Sequence, residues 1–458
     1  MQHDPLTAIS PIDGRYFDKV AELRPIFSEY GLFHYRILIE ICWLQTLAAR
    51  SDIEGIKPFS EKASQQLNAI FENFSHHDAQ RIKVLETTTH HDVKAVEYFL
   101  KEKIRENSEL NSYCEYVHFG CTSDDINNLA YALMLKKARE DCLIPCIQKI
   151  LQQLKFLTQH YAEHAMLART HGQAAIPTTM GKELANFIAR LTIQLKKFSQ
   201  ITLRGKFNGA VGNYNAHRVA YPNVPWLEVS KQFVESFGLD WNPYTTQIEP
   251  HDYIAEYCDA LRRLGTVLIN LSADMWGYIS LGYFKQKTEA TETGSSTMPH
   301  KVNPIDFENT ESNLGLANHL YQYFSNTLPI SRWQRDLRDS TLLRNLGVAF
   351  SYSLLAYKNL LTGLNKITID DKRLADDLHQ HWEILAEAVQ TVLRRYGAHL
   401  PYEQLKELTH GKKLNQDTLS RFIRGLYLPE EAKQQLLNLT PSNYLGFSTE
   451  LAHRIVDS

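Results

Sequence analysis

The chain has 458 residues, 43% of them hydrophobic and 22% charged, and its net charge is −3. That balance is typical of a water-soluble protein and argues against a general nucleic-acid or membrane surface, while the length exceeds what one core usually holds. The opening residues do not read as a signal peptide, and no uninterrupted apolar stretch reaches the ~18 residues of a membrane span. Cys42, Cys114, Cys121, Cys142, Cys146 and Cys258 are scattered. Only Cys142 and Cys146 share a helix face, and they lack partner ligands for a metal, so all six read as reduced thiols of a cytoplasmic protein.

Apolar residues recur mostly at helical spacing and period-two strand signals are sparse, which predicts an all-α protein. The expected organisation is an N-terminal helical domain over 1–111, a central long-helix bundle over 112–364 and a C-terminal helical cap over 365–458. The first part holds shorter helices and a polar loop around 87–92. At 118–128, Thr122 or Ser123 is placed to cap a long helix whose first turn carries Asp124 and Asp125. A helix N-terminus also holds anions. From Ile126 to about His164 the stripe Leu129, Leu133, Ile147, Ile150, Leu151, Leu154 and Tyr161 marks a long helix that Pro145 is expected to kink or break. His171 follows between Thr170 and Gly172, where neighbouring hydroxyls could hold one tautomer; from the residues alone, a satisfied structural histidine is the better reading. Leu184, Ile188, Leu191, Leu195 and Phe198 step by four, three, four and three, an a/d seam. Residues 206–225, with Gly209, Gly212, Pro222 and Pro225, read as a structured loop between helices. A third stripe contains Ile254, Cys258, Leu261, Leu268, Leu271, Met275 and Tyr278, and helices of this kind bury their stripes in a bundle.

Residues 294–304 carry the clearest chemistry. Gly294, Ser295, Ser296, Met298, Pro299, His300, Lys301, Asn303 and Pro304 place hydroxyls, a cation and amide donors in a loop limited by two prolines. Removing a proton from carbon beside a carboxylate needs that combination. The carbanion survives only as an aci-carboxylate, so fixed donors and a cation must face it. Lys301 supplies the cation, Asn303 supplies donors, and a serine can be the base where those groups stabilise its alkoxide. Further on, Arg332, Arg335, Asp336, Arg338, Asp339 and Arg344 have the spacing of a solvated, salt-bridged helix face. Arginine forks equally suit phosphate and carboxylate groups, and on residues alone the two readings stand level.

The loop at 294–304 resembles the signature of the fumarase/aspartase superfamily, whose members cleave C–N or C–O bonds and release fumarate. The resemblance implies a mostly helical, three-domain fold and a homotetramer with active sites shared between subunits. It gives Ser295 the base role, with Ser296 as a neighbouring ligand. It makes His171, within Thr170, Gln173, Ala175, Pro177 and Thr178, the general acid, and Glu308 the carboxylate that pairs with it. Thr122 and Ser123 become ligands of the dicarboxylate. Within the superfamily, Met298 to Lys301, the opening Leu6 to Tyr16, Thr89 to Tyr98, Gly209 to His217 and Arg335 to Asn345 are most similar to the adenylosuccinate lyase family, in its longer bacterial form. That likeness implies fumarate release from adenylosuccinate, giving AMP, and from the succinylo-aminoimidazole-carboxamide ribotide, giving the carboxamide ribotide. It assigns substrate contacts to Arg15, Tyr16, His90, His91, Asp92, Gln247, Lys301, Asn303, Asn309, Arg335, Ser340, Thr341 and Arg344. No metal or organic cofactor is implied, and the partners are purine nucleotides rather than nucleic acid or membrane. His90 departs from the asparagine of many relatives, and Arg338 from a smaller polar residue. The other readings are a different fumarate-releasing lyase, such as one acting on argininosuccinate, or a non-catalytic helical structural protein.

Overall fold

The computed structural model describes residues 4–287, 297–298, 300–409 and 414–457. The chain is mostly helical and divides into two compact units. One comprises Met1–Ile147, Gln194–Thr266 and Ser312–Ala356; the other comprises Gln148–Ile193, Val267–Glu311 and Tyr357–Ser458. The expected stripes are core: Leu184, Ile188, Leu191 and Phe198 are buried, as are Ile254, Cys258, Leu261, Leu268, Leu271 and Met275. All six cysteines are free. Among the described residues no helix is long and apolar enough to cross a membrane.

In the first unit, helix Glu29–Ala48 starts where the Ser28 hydroxyl accepts the Gly31 N–H at 3.1 Å. It packs against helix Ser123–Lys137. Helices His76–Thr89 and Asp92–Ile104 pack together across a two-residue link, His90 and His91. His90 closes the first helix at φ 49°, ψ 29°. That left-handed position is one that asparagine and histidine enter more readily than most residues, which accounts for the departure at position 90. His91 opens the second helix, its Nδ1 accepting the Lys94 N–H at 3.2 Å.

Pro145 acts more gently than a break. Helix Ser123–Lys137 passes through a π-helical turn, Ala138–Leu143, into helix Ile144–His160. Proline lacks the N–H that would bond the carbonyl four residues back, and the wider turn absorbs the defect just before it.

In the second unit, β1 (Ala165–Thr170) pairs antiparallel with β2 (Gln173–Thr179). The sequence reading gave no hairpin here. His171 and Gly172, at φ 53° and 74°, form its two-residue tip; positive φ at both positions matches the right-handed twist of paired strands. Near this hairpin the C-terminal segment builds its own core from Leu378, Leu385, Val389, Leu393, Leu419, Ile423 and Leu436, and Leu167 of β1 belongs to it.

Candidate active site

A cavity of about 370 Å³ in the first unit gathers most of the predicted nucleotide ligands. Asp92, at the start of helix Asp92–Ile104, is its hub. One carboxylate oxygen accepts Arg36 Nη2 at 2.8 Å and Arg344 Nη2 at 2.7 Å. Burial pushes the Asp92 carboxyl up, but the two guanidiniums outweigh it and hold it below the usual carboxylate range. Arg36 is itself buried and donates Nε to Asn127, while its Nη1 has no hydrogen-bond partner among the described residues. The Ser123 hydroxyl stands 3.5 Å from His91 Nε2. His90, Ser340 and Thr341 also line the cavity.

Arg335 crosses the cavity floor. It pairs with Asp124, donates to Gln247 Oε1 at 3.3 Å and to Ser340 Oγ at 3.1 Å, and lies 3.8 Å from Asp339. Gln247 in turn donates to the Ala210 carbonyl at 3.0 Å, tying Arg335 to the glycine-bearing loop. Two buried carboxylates share this one guanidinium and respond differently. Burial raises the Asp124 carboxyl despite Arg335, with Asp339 adding to the rise. Asp339 is lowered: burial opposes, but His251 and Arg335 prevail.

The 331–345 block contains both of its predicted readings. Helix forms only over Arg338–Leu343, and the residues before it turn, with Trp333 at φ 49°. Arg332 and Arg338 pair with Asp336 at the surface, while Arg335 and Arg344 point into the cavity lining. Arg344 also lines a neighbouring cavity of about 220 Å³ beside Ile12 and Asp13. Tyr16 packs against the small core of Ile12, Val20 and Leu355. Arg15 is exposed, and neither it nor Tyr16 lines the larger cavity.

Asp125 does more than favour a helix dipole. It is fully buried, accepts the Thr122 N–H at 2.8 Å and the Asn208 N–H at 2.9 Å, and pairs with the equally buried Lys206 at 2.9 Å. The helix N-terminus bearing Thr122 and Ser123 is thereby fastened to residues 206–209. No sequence signal exposed this pair, because its partners lie 81 positions apart (206 − 125). Arg36 and His251 were missed for the same reason.

The second unit holds the residues assigned to elimination. His171 is exposed at the hairpin tip. Lys301 is exposed and Asn303 half-buried; the stretch is anchored where Gln286 Nε2 donates to the Val302 carbonyl at 3.1 Å. Glu308 is exposed in the first turn of helix Ile305–Thr327, and Asn309, next to it, is exposed too. Glu308 accepts Trp276 Nε1–H at 3.1 Å, and among the described residues no hydrogen bond joins it to His171. Ser295 and Ser296 lie outside the described residues.

A family model described as Lyase matches residues 14–317, and one described as Adenylosuccinate lyase C-terminal matches 331–445. The chain is 55% identical over 446 residues to the adenylosuccinate lyase of Escherichia coli strain K12, covering 97% of this chain and 98% of that one. It is 54% identical over 455 residues to that of Haemophilus influenzae, covering 99% and 100%. The chain belongs to the adenylosuccinate lyase family. Among solved structures, a fumarate lyase from Mesorhizobium sp. BNC1 aligns with TM-score 0.76 at 18% identity, over 96% of this chain and 98% of that one. The 3-carboxy-cis,cis-muconate lactonizing enzyme from Pseudomonas putida aligns with TM-score 0.76 at 19% identity, over 95% and 96%. These two share the fold. The adenylosuccinate lyase C-terminal model takes in the Arg335–Arg344 block and most of the segment after 364, where the sequence reading found no motif.

Proposed function

We propose that the chain catalyses β-elimination of fumarate from adenylosuccinate, leaving AMP, and from the succinylo-aminoimidazole-carboxamide ribotide, leaving the carboxamide ribotide. The observation that carries this is the cavity that draws Arg36, Arg335, Arg344, Ser340, Thr341 and the helix N-terminus at Ser123 into one space. Such a set suits a ligand with a phosphate and carboxylates. Arg335 and Arg344 are each held by a carboxylate, so the substrate's anionic groups exchange with Asp92 and Asp124 for guanidiniums already aimed into the cavity.

The reaction runs in two steps. Ser295 takes the Cβ proton, and the C–H electron pair moves into the adjacent carboxylate, whose second negative charge Lys301 and Asn303 receive. The pair then returns to form the C=C bond of fumarate as the C–N bond breaks, and His171 gives its proton to the leaving nitrogen. Glu308 orients His171 and favours its charged form. The working enzyme is a cytoplasmic homotetramer whose active sites take residues from more than one subunit, and the pairing of His171 with Glu308, which the described residues of one chain do not make, forms across subunits.

The test is direct. Purified protein given adenylosuccinate is expected to release fumarate, followed by absorbance, and AMP in equal amounts, and to turn over the ribotide likewise. Turnover of argininosuccinate with neither purine substrate consumed would overturn the proposal.

A further inference from the structure

The hairpin that presents His171 is gripped from the C-terminal segment. Two residues before the tip, Arg169 Nη2 donates to Asp377 Oδ2 at 2.5 Å, and the Tyr283 hydroxyl donates to the same oxygen. Asp377 is 6% exposed and Tyr283 fully buried, while Arg169 is half-buried, so the carboxylate end of this ionic contact is held out of water. Burial, with Asp377 adding to it, pushes the Tyr283 hydroxyl up to about 12, which keeps it a donor across the working pH range. On the other side of the carboxylate, His381 Nε2 lies 3.8 Å from Oδ1, and its Nδ1 is 2.7 Å from Glu383.

The same strand is held a second way. Leu167 enters the core formed by Leu378, Leu385, Val389 and their neighbours, and Ala165 and Ala174 pack against that core. Between the apolar anchor at Leu167 and the ionic anchor at Arg169, the β1–β2 register shifts. Irregularities of this kind bend a strand and re-aim the side chains that follow. The shift is thus pinned on both sides, with its ionic anchor two positions before His171. Removing a buried partner here leaves a charge uncompensated, so the brace is stiff where a surface ion pair would not be.

We propose that Asp377, acting through Arg169 and Tyr283, is a positioning residue for His171, and that the C-terminal segment thereby sets the aim of the proton donor. This rests on the reading of His171 as the general acid. It predicts a loss confined to chemistry, because the nucleotide ligands lie on other segments. A misplacement of about 1 Å can cost on the order of 100-fold in rate.

The experiment is a double-mutant cycle with Asp377→Asn and His171→Ala, reading fumarate release and AMP affinity. Asp377→Asn is expected to lower kcat about 10- to 100-fold, with KM and the AMP Kd within about threefold. Added to His171→Ala it should cost nothing further, because both changes remove the same function. Tyr283→Phe keeps the ion pair and removes one donor; it should show a smaller loss with the same non-additivity, and it carries the cycle alone if Asp377→Asn does not fold. Wild-type turnover in both brace variants, or losses that multiply in the double variant while His171→Ala is itself impaired, would overturn the brace and leave the acid assignment standing. Normal turnover of His171→Ala would overturn the acid assignment and the brace with it.

Discussion

The cavity around Asp92 and Arg335 and the hairpin tip at His171 are built on opposite plans. In the cavity almost every functional group is committed: Arg344 to Asp92, Arg335 to Asp124, Gln247 and Ser340, and Asp125 to Lys206 beneath them. At the tip, His171 is exposed, although the strand leading to it is firmly held. Groups that bind a ground-state anion gain from being pre-arranged, since ordering costs are met at folding. Groups that move a proton must be free to meet the reacting atom. On the roles proposed above, the contrast separates binding from chemistry, and variants on each side should therefore fail differently.

The largest effect is expected on the chemical side. Ser295→Ala should lower kcat by about 100- to 10,000-fold, the span typical of a positioned proton-transfer group, with near-normal retention of AMP. Near-normal turnover in a fumarate assay would remove Ser295 as the base. On the binding side, Arg335→Ala leaves Asp124 and Asp339 without their shared cation. Breaking a buried ionic set by removing one partner costs about 3–5 kcal/mol, so thermal unfolding should shift down by several degrees along with the loss of substrate affinity. Unchanged stability would mean that Arg335 is not needed to hold the two carboxylates.

These two variants also mark how far the sequence could be read. The helical stripes were legible because a period is a local property: Leu184, Ile188 and Leu191 fall on one face whatever they meet, and all three are buried. Asp92, Ser123, Arg335, Ser340, Thr341 and Arg344, which line the cavity, were singled out by their motifs. Their partnerships were not. Asp92 with Arg36, Asp124 with Arg335, and Asp125 with Lys206 join positions 56, 211 and 81 apart, and nothing local signals such pairs. The hairpin was missed because its tip depends on positive φ at His171, which a β1–β2 pairing imposes and an isolated Thr-His-Gly run does not announce. Pro145 was read as a kink or a break because the π turn that accommodates it is rarer than either.

Arg344→Gln sharpens the comparison at a smaller scale. It removes one charged hydrogen bond, of about 1.5–3 kcal/mol, so KM for adenylosuccinate should rise about tenfold or more while kcat changes little. A fall in kcat without a change in KM would place Arg344 with the chemistry instead. The smallest effect concerns pH. The Asp92 carboxyl is held below its ordinary value in the folded chain, so its contribution to stability is present above the unfolded carboxyl pKa of about 3.9 and is lost as pH falls through the lower folded value. Asp92→Asn should weaken the decline in thermal stability below about pH 4. An identical decline in variant and wild type would show that Asp92 is not among the groups driving it.

The separation of binding from chemistry is tested most directly by His171→Ala, with fumarate release and AMP affinity measured on one preparation. Fumarate release is expected to fall by about 100- to 10,000-fold while the AMP Kd stays within a few-fold of wild type. Near-normal turnover, or an AMP affinity lost in step with turnover, would contradict the account.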